Sequence, residues 1–351
     1  MLMLTLFLIT GCRNKDTAPA GDDSVGDSAV DTDTNPPDSE GDADTDTDSD
    51  TDTDSDSDSD SDTEETGEDD PFISSEGGWT DVNTGGEYTC GVNSVGDVQC
   101  WGAPGTQNDY GQLIPPIGTF ESVSAHYIET CGIATTGGLN CWGYDNDLGA
   151  TGTFTDVAVG SFHICALSSG QPQCWSTDSS RDSGQATPPT GTFTSLTAGA
   201  LHTCAINSSA GLQCWGAGTG EGGDSDQGQS LPPSGSFTQV SAGTFHTCAV
   251  ATSGALSCWG AGQGEGGSHD AGQSLPPSGT FTQVSAGGTH SCALSTTGEI
   301  ECWGSETDGR TTPPSGTFTK VDADSYNTCA LDAAGFVHCF GGDSFGESEP
   351  P

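Results

Sequence analysis

Three groups of residues have types and spacings that could do chemistry: cysteines in regular pairs, histidines just ahead of them, and carboxylates in glycine-rich stretches. Every cysteine except Cys12 falls into a close pair: Cys90/Cys100, Cys131/Cys141, Cys165/Cys174, Cys204/Cys214, Cys248/Cys258, Cys292/Cys302 and Cys329/Cys339. Structural zinc prefers Cys-x-x-Cys spacing, which none of these pairs has. An even set of pairs in an exported chain reads instead as disulfides. His163, His202, His246 and His290 each stand two residues before the first cysteine of a pair. A ring of four could ligate a metal. Tyr88, Glu129 and Asn327 take the same place elsewhere, so the leading reading is a packed, hydrogen-bonded repeat residue. The stretch 216–229 carries Glu221, Asp224 and Asp226, and the stretch 260–273 carries Glu265, His269 and Asp270. Glycine-rich acidic loops can wrap Ca²⁺ through carboxylate and carbonyl oxygens, which makes Glu221, Asp224, Asp226 and Asp270 weak Ca²⁺ candidates. No copy has the twelve-residue EF-hand pattern, so the expectation is surface loops and no cofactor.

A nucleophile elbow, a P-loop, a metalloprotease histidine pair and a dinucleotide fingerprint are all absent from the sequence. The stretch 252–259 is superficially similar to the Asp-box of sialidases but lacks its Asp, so a carbohydrate-active enzyme is a remote alternative. The expectation is a chain that is not an enzyme.

The elements that must position these residues recur seven times. Each copy opens on an aromatic residue (Trp79, Phe120, Phe154, Phe193, Phe237, Phe281, Phe318), followed three residues later by Val or Leu. The Cys pair follows. Trp-Gly comes after the second Cys in five copies, with Trp175-Ser176 in the third and Phe340-Gly341 in the seventh. A glycine-rich loop then leads, in most copies, through Gly-Gln to Pro-Pro. In the fifth copy, 237–242, 246–251 and 255–260 alternate like strands. Thr252-Ser253-Gly254 suits a three-residue hairpin with Gly in the left-handed position, which sets Cys248 opposite Cys258. Counting by parity, His246, Cys248, Val250, Leu256 and Cys258 share one face, and Ala249 and Trp259 the other. A small sheet with two apolar faces needs a neighbour on each side, and repeats of this length stack to supply them. The expected fold is all-β: a seven-bladed β-propeller over 72–351, with each Trp packed over the disulfide face of the next blade.

The register of Val-x-Ala-Gly-x-x-His-Thr-Cys-Ala-Val (240–250) and Cys258-Trp259-Gly260, held through seven copies, resembles the regulator of chromosome condensation repeat. The Cys pairs resemble those of a secreted bacterial branch of that family. The resemblance implies a seven-bladed propeller. In the eukaryotic founder it implies guanine nucleotide exchange and chromatin binding; in a secreted β-lactamase inhibitor built on the same propeller it implies protein binding through rim loops.

Charge and the N-terminal stretch choose among these. The chain has 351 residues, with 51 Asp plus Glu against 5 Lys plus Arg. From residue 71 onward the only cations are Arg181, Arg310 and Lys320. Nucleic-acid binding needs clustered Lys and Arg, so it is excluded, and with it the chromatin role. Residues 13–71 are rich in Asp, Ser and Thr with almost no large apolar side chains, and are expected to be a disordered acidic tether. Residues 1–12 hold a short apolar run that resembles a secretory signal, and Ile9-Thr10-Gly11-Cys12 resembles a bacterial lipobox. That resemblance implies lipidation of Cys12, and Arg13 after it is similar to outer-membrane retention signals. The functional expectation is a cell-surface lipoprotein whose rim loops bind an extracellular protein or glycan. A structural or adhesive envelope component is the alternative. An enzyme would require acids and a histidine gathered at one end of the central channel.

Overall fold

The computed structural model describes residues 72–74, 77–102, 108–144, 147–220, 225–264 and 269–351. Cys12, residues 13–71, for which an acidic tether is expected, and the Ca²⁺ candidates Glu221 and Asp224 lie outside them. The described residues form seven antiparallel sheets, and their helical elements are two single 3₁₀ turns, Ser179–Arg181 and Thr307–Gly309. The protein is all-β, a seven-bladed propeller.

Each blade has an inner, a middle and an outer strand. In blade 5 these are Phe237–Ala242, His246–Ala251 and Leu256–Gly260, within a residue of the ranges read from alternation. Blades 1 to 4 begin on the inner strands Trp79–Thr84, Phe120–His126, Asp156–Val159 and Phe193–Ala198; blades 6 and 7 begin on Phe281–Ala286 and Phe318–Ala323. Cys248 pairs across the hairpin with Cys258, and the other six pairs stand in the same register. Every blade is clipped by its own disulfide: Cys90–Cys100, Cys131–Cys141, Cys165–Cys174, Cys204–Cys214, Cys248–Cys258, Cys292–Cys302 and Cys329–Cys339, with Cα–Cα distances of 4.0 to 4.1 Å. Gly254 takes φ +85° at the left-handed hairpin position. In blade 4 the glycine comes one place late, so Ala210 adopts φ +64° instead. The Asn207 side-chain oxygen steadies that turn by accepting from the Ser209 and Gly211 N–H groups.

The core is seven slabs, one at each seam between blades. At the seam of blades 5 and 6, Cys248, Val250, Leu256 and Cys258 meet Phe281, Val284 and Trp303. At the seam of blades 4 and 5, Cys204, Ile206 and Cys214 meet Phe237, Val240 and Trp259. The tryptophan therefore covers the disulfide of the preceding blade, not the following one as parity had suggested. Parity assigns residues to faces, but the twist of the blades decides which neighbour each face meets.

The ring closes by a strand exchange. Phe72–Ile73 adds a fourth strand to blade 7, pairing antiparallel with its outer strand Val337–Gly341. The Ser74 N–H donates to the Val337 carbonyl at 2.9 Å, and the Val337 N–H returns to Ser74 Oγ at 3.0 Å. Residues before the first copy thus complete the last blade.

Both members of each cysteine pair lie on the same face, as parity gives, but they differ in burial. The middle-strand members Cys90, Cys131, Cys165, Cys204, Cys248, Cys292 and Cys329 are fully buried. Their partners Cys100, Cys141, Cys174, Cys214, Cys258 and Cys302 are only half-buried, because the outer strand is the edge of its sheet. Cys339 is the exception and is fully buried: in blade 7 Phe72 pairs with it, so its strand is no longer an edge.

Candidate functional site

The cysteines and the four repeat histidines serve the seams. Cys100, Cys141, Cys174, Cys214, Cys258, Cys302 and Cys339 each end in a disulfide to the strand beside them, so none of them is a free thiol for metal binding or nucleophilic attack. His163, His202, His246 and His290 are fully buried. Each Nε2 meets a hydroxyl on the next blade: Thr203 at 2.7 Å, and Thr247, Ser291 and Thr328 at 2.8 Å. The hydroxyls of Thr203, Thr247 and Ser291 in turn donate to the carbonyls of Gln185, Gln229 and Gln273. A hydroxyl has one proton, so the Nε2 of His163, His202 and His246 must donate to it and their Nδ1 must be bare. Each Nδ1 is buried without a hydrogen-bond partner. Burial lowers all four imidazoles to about 3. They are neutral and held apart around the ring, which suits packing and not a shared metal.

The sequence explains why the histidine is preceded by Ala-Gly. A Cβ at Gly243 would lie 2.7 Å from His246 Cε1 and 2.3 Å from the carbonyl oxygen of Gly287 on the next blade. The imidazole lies where a larger residue's side chain would be.

Asp226 and Asp270 are turn residues. Each Oδ1 accepts two glycine N–H groups, Gly220 and Gly228 for Asp226, Gly264 and Gly272 for Asp270. Among the described residues, no group of three or more His, Cys, Asp or Glu side chains is placed to hold a metal. Both aspartates belong to an Asp-x-Gly-Gln pattern that recurs at Asp109–Gln112, Asp182–Gln185, Asp226–Gln229 and Asp270–Gln273. The glutamine is fully buried and clamps its own loop. In the last copy, Gln273 Nε2 donates to the His269 carbonyl at 2.6 Å, and its Oε1 accepts from the Ala271 N–H at 2.8 Å. Its main-chain carbonyl accepts the Trp303 indole N–H at 2.8 Å. Gln112, Gln185 and Gln229 serve Trp142, Trp215 and Trp259 in the same way. The Gly-Gln signal was visible in the sequence, but its link to a tryptophan about thirty residues on was not.

The central channel is lined by the inner strands of all seven blades. Its wider part is a polar cavity of about 510 Å³. The lining side chains stitch neighbouring blades together. Gln239 Oε1 accepts from the Val284 N–H, Gln283 Oε1 from Val321, Ser241 Oγ from Ala286 and Asp156 Oδ2 from Leu196. Lys320 of blade 7 pairs with Asp81 of blade 1, and Asp322 accepts both the N–H and the hydroxyl of Thr84 at 2.7 Å. Burial pushes the Asp322 carboxyl up to about 6, although Lys320 and the Thr84 donors oppose the shift. Burial also raises Asp156 to about 6.

At the upper mouth of the channel, where inner strands turn into middle strands, blades 3 to 6 present Gly160, Gly199, Gly243 and Gly287, and blade 1 presents Gly85. Blades 2 and 7 present His126 and Asp324 there instead. These two meet across blade 1, with His126 Nδ1 3.0 Å from Asp324 Oδ1. On its other side, His126 Nε2 lies 3.0 Å from Ser161 Oγ of blade 3. Burial opposes charging of His126, but the Asp324 carboxylate beside it outweighs burial and raises the imidazole above its ordinary value. An acid, a histidine and a serine are thus gathered at one channel end, an arrangement absent from the motif reading because its members come from three blades.

The same face carries exposed aromatic rings. Four of the five tyrosines, Tyr110, Tyr127, Tyr144 and Tyr326, are exposed large side chains. Tyr127 and Tyr326 sit in the turns after the inner strands of blades 2 and 7. Blade 1 between them has Gly85-Gly86-Glu87. The result is a groove of about 110 Å³ with Tyr127 and Tyr326 in its walls and Glu87, Asn108, Ile128 and Ser325 lining it. Tyr110 and Tyr144 stack edge to face beside it, with centroids 4.9 Å apart.

With this geometry in view, the known proteins the chain resembles fall into place. Residues 237–265 and 281–310 match the model of the regulator of chromosome condensation (RCC1) repeat. The fold is an RCC1-like propeller. Solved RCC1-like and related propellers superpose on it. The crinkly ectodomain of the Arabidopsis thaliana receptor kinase ACR4 is 22% identical, covers 76% of this chain and 96% of its own, and has a TM-score of 0.58. The ectodomain of the Physcomitrella patens receptor kinase CR4 is 22% identical, over 76% of this chain and 74% of its own, at 0.59. Prp20p of Saccharomyces cerevisiae, whose structure was described with its binding to Gsp1p and histones, is 16% identical over 77% and 84%, at 0.54. No curated protein sequence matches the chain. At these identities the likeness is one of fold.

Proposed function

We propose that this protein is an exported, surface-displayed binding module in which the upper face of an RCC1-like propeller captures an extracellular protein or glycan. The reading divides the chain into a lipoprotein signal over 1–12 with Cys12 as the lipidated residue, an acidic tether over 13–71, and the propeller over 72–351. Outer-membrane display follows from Cys12 and Arg13. Two observations support export: seven disulfides, which persist in oxidising compartments, and a strongly acidic surface that favours solubility outside the cell.

One observation carries the binding role. The blades spend their Trp, His and Cys side chains on one another, while four tyrosines are left exposed together at blades 7, 1 and 2. Tyrosine offers a large amphipathic contact at low entropic cost and is enriched in recognition surfaces. The variable loops around the groove supply specificity.

The test is capture of extracellular proteins and glycans by the secreted chain. Tyr127→Ala with Tyr326→Ala should weaken capture at least 10-fold with unchanged thermal unfolding. Capture that is absent, or equal in the double variant, removes the reading. Metabolic labelling with a fatty acid, abolished by Cys12→Ala, tests the anchor separately.

A further inference from the structure

We infer that Ser161, His126 and Asp324 form a nucleophilic relay at the upper channel mouth that cleaves carboxylic esters. This goes beyond the binding role and does not depend on it. The geometry is that of an activated serine: hydroxyl to imidazole Nε2 at 3.0 Å, imidazole Nδ1 to carboxylate at 3.0 Å. The three residues come from blades 3, 2 and 7, so the arrangement is tertiary and has no local motif.

The surroundings are fitted to such a relay. Asp324 is buried, with a side chain only 5% exposed, while His126 retains 11% and Ser161 is half-buried. The carboxylate is therefore shielded and the reacting atoms are reachable. At the matching position blade 1 has Gly85, and the Tyr88 ring fills the place that a Cβ there would take. Tyr127, immediately after His126, is held at φ +51°, a left-handed conformation that a non-glycine residue adopts at a cost and that clusters at functional sites. Ser161 lies in a tight turn in which the Gly160 N–H donates to the His163 carbonyl at 2.8 Å. The Tyr127 and Phe162 rings are 6.3 Å apart and give the approach an apolar rim. A cavity of about 80 Å³ lies against His126 and Asp324 in the channel.

The reaction is balanced with water alone. Ser161 Oγ bonds to the ester carbonyl carbon while its proton passes to His126 Nε2. The carbon–oxygen bond to the alcohol breaks, and the departing oxygen takes that proton. Water then attacks the acyl-Ser161, gives a proton to His126, and releases the carboxylic acid as the serine hydroxyl is restored. Asp324 is a positioning residue: it fixes the tautomer that leaves Nε2 able to accept, and steadies the imidazolium.

The experiment treats the secreted full-length protein with a fluorophosphonate and maps the adduct by mass spectrometry, with p-nitrophenyl acetate hydrolysis alongside. One adduct on Ser161 is expected in the native protein and none after denaturation. Ser161→Ala should remove both the adduct and the hydrolysis while leaving thermal unfolding in place. Asp324→Asn should slow both by about 100-fold or more, the scale of general-base assistance. No adduct on Ser161 in the folded protein, or an adduct formed at an equal rate in Asp324→Asn, overturns the inference and makes the three residues a clamp over the channel. Capture is read out separately on Tyr326→Ala, which lines the groove and not the approach to Ser161, so failure of one proposal does not carry the other.

Discussion

The seam between blades 5 and 6 and the seam between blades 7 and 1 use the same architecture with opposite chemistry. At the first, a neutral imidazole meets a serine, a tryptophan meets a glutamine carbonyl, and Gln239 and Ser241 accept main-chain N–H groups. Every partner belongs to the repeat. At the second, Asn327 replaces the histidine, and Lys320–Asp81 and Asp322–Thr84 replace the amide and serine contacts. The carbonyl offered to Trp101 and Thr89 comes from Glu347, near the C-terminus. Glu347 also holds the Phe345 N–H through its carboxylate, much as the glutamines clamp their loops. The ordinary seams are formed by repetition. The closing seam is completed by the C-terminal segment around Glu347, and it is where the propeller's only lysine is placed.

The sharpest way to break this contrast is to remove residues 343–351. Trp101 and Thr89 would lose their acceptor inside a buried seam, and buried unsatisfied donors cost about 1–3 kcal/mol each. The expected loss is about 3 kcal/mol or more, seen as a drop in the denaturant midpoint and as proteolysis of blades 7 and 1 before the others.

Lys320→Met should come next. It leaves Asp81 and Asp322 without their cation in the channel wall, and removing one partner of a largely buried pair costs a few kcal/mol. Lys320 keeps 24% side-chain exposure, so a loss of about 2 kcal/mol is expected in chemical denaturation. The loss should shrink at pH 5, where Asp322, at about 6, is protonated.

In an ordinary seam, replacing Cys248 and Cys258 together by Ser removes a short-loop disulfide worth about 2.5–3 kcal/mol. The destabilisation should be confined to blades 5 and 6 in hydrogen exchange.

The histidines sharpen the comparison through pH. Their folded values near 3 lie below the unfolded value of 6.5, so between pH 6.5 and 3 the unfolded chain binds more protons. Stability contributed by the neutral histidines is present above pH 6.5 and is lost as pH falls through that window. Asp156 and Asp322, raised to about 6, act in the opposite sense between about 6 and 4, where acidification favours the folded state. With four groups against two, these residues make the protein less stable toward acid. His246→Asn, which copies the closing seam, should reduce the slope of stability against pH near pH 5 by about 1.4 kcal/mol per unit, one proton's worth.

The smallest expected effect is a gain. Ala210→Gly relieves a left-handed alanine and should stabilise by about 0.5–1 kcal/mol in thermal unfolding.

What was legible in the sequence followed locality. Hairpin parity depends on a few consecutive residues, so the strands of blade 5 and the facing of Cys248 and Cys258 could be counted out. The Trp259 environment was only half legible, since its face follows from parity but its neighbour follows from blade twist. Closure was not legible, because nothing in Phe72-Ile73 marks it as the fourth strand of the last blade. The mouth was least legible of all. His126 and Asp324 each look like a lapse from the glycine pattern of their own copy. They become partners only when the ring brings blades 2 and 7 to either side of a blade that has no side chain there.

The Asp-x-Gly-Gln staple gives the propeller an interchangeable socket. Each glutamine fixes the foot of its loop and hands its carbonyl to the next blade, so the blades sense the foot and are indifferent to the span above it. Segments between the outer strand and the staple can then differ in length, as they do after blades 3 and 4, without shifting the register of the sheets. A foreign peptide grafted between Gly260 and Asp270 would inherit a fixed base on a disulfide-clipped scaffold, and six other blades would hold their places while it changed.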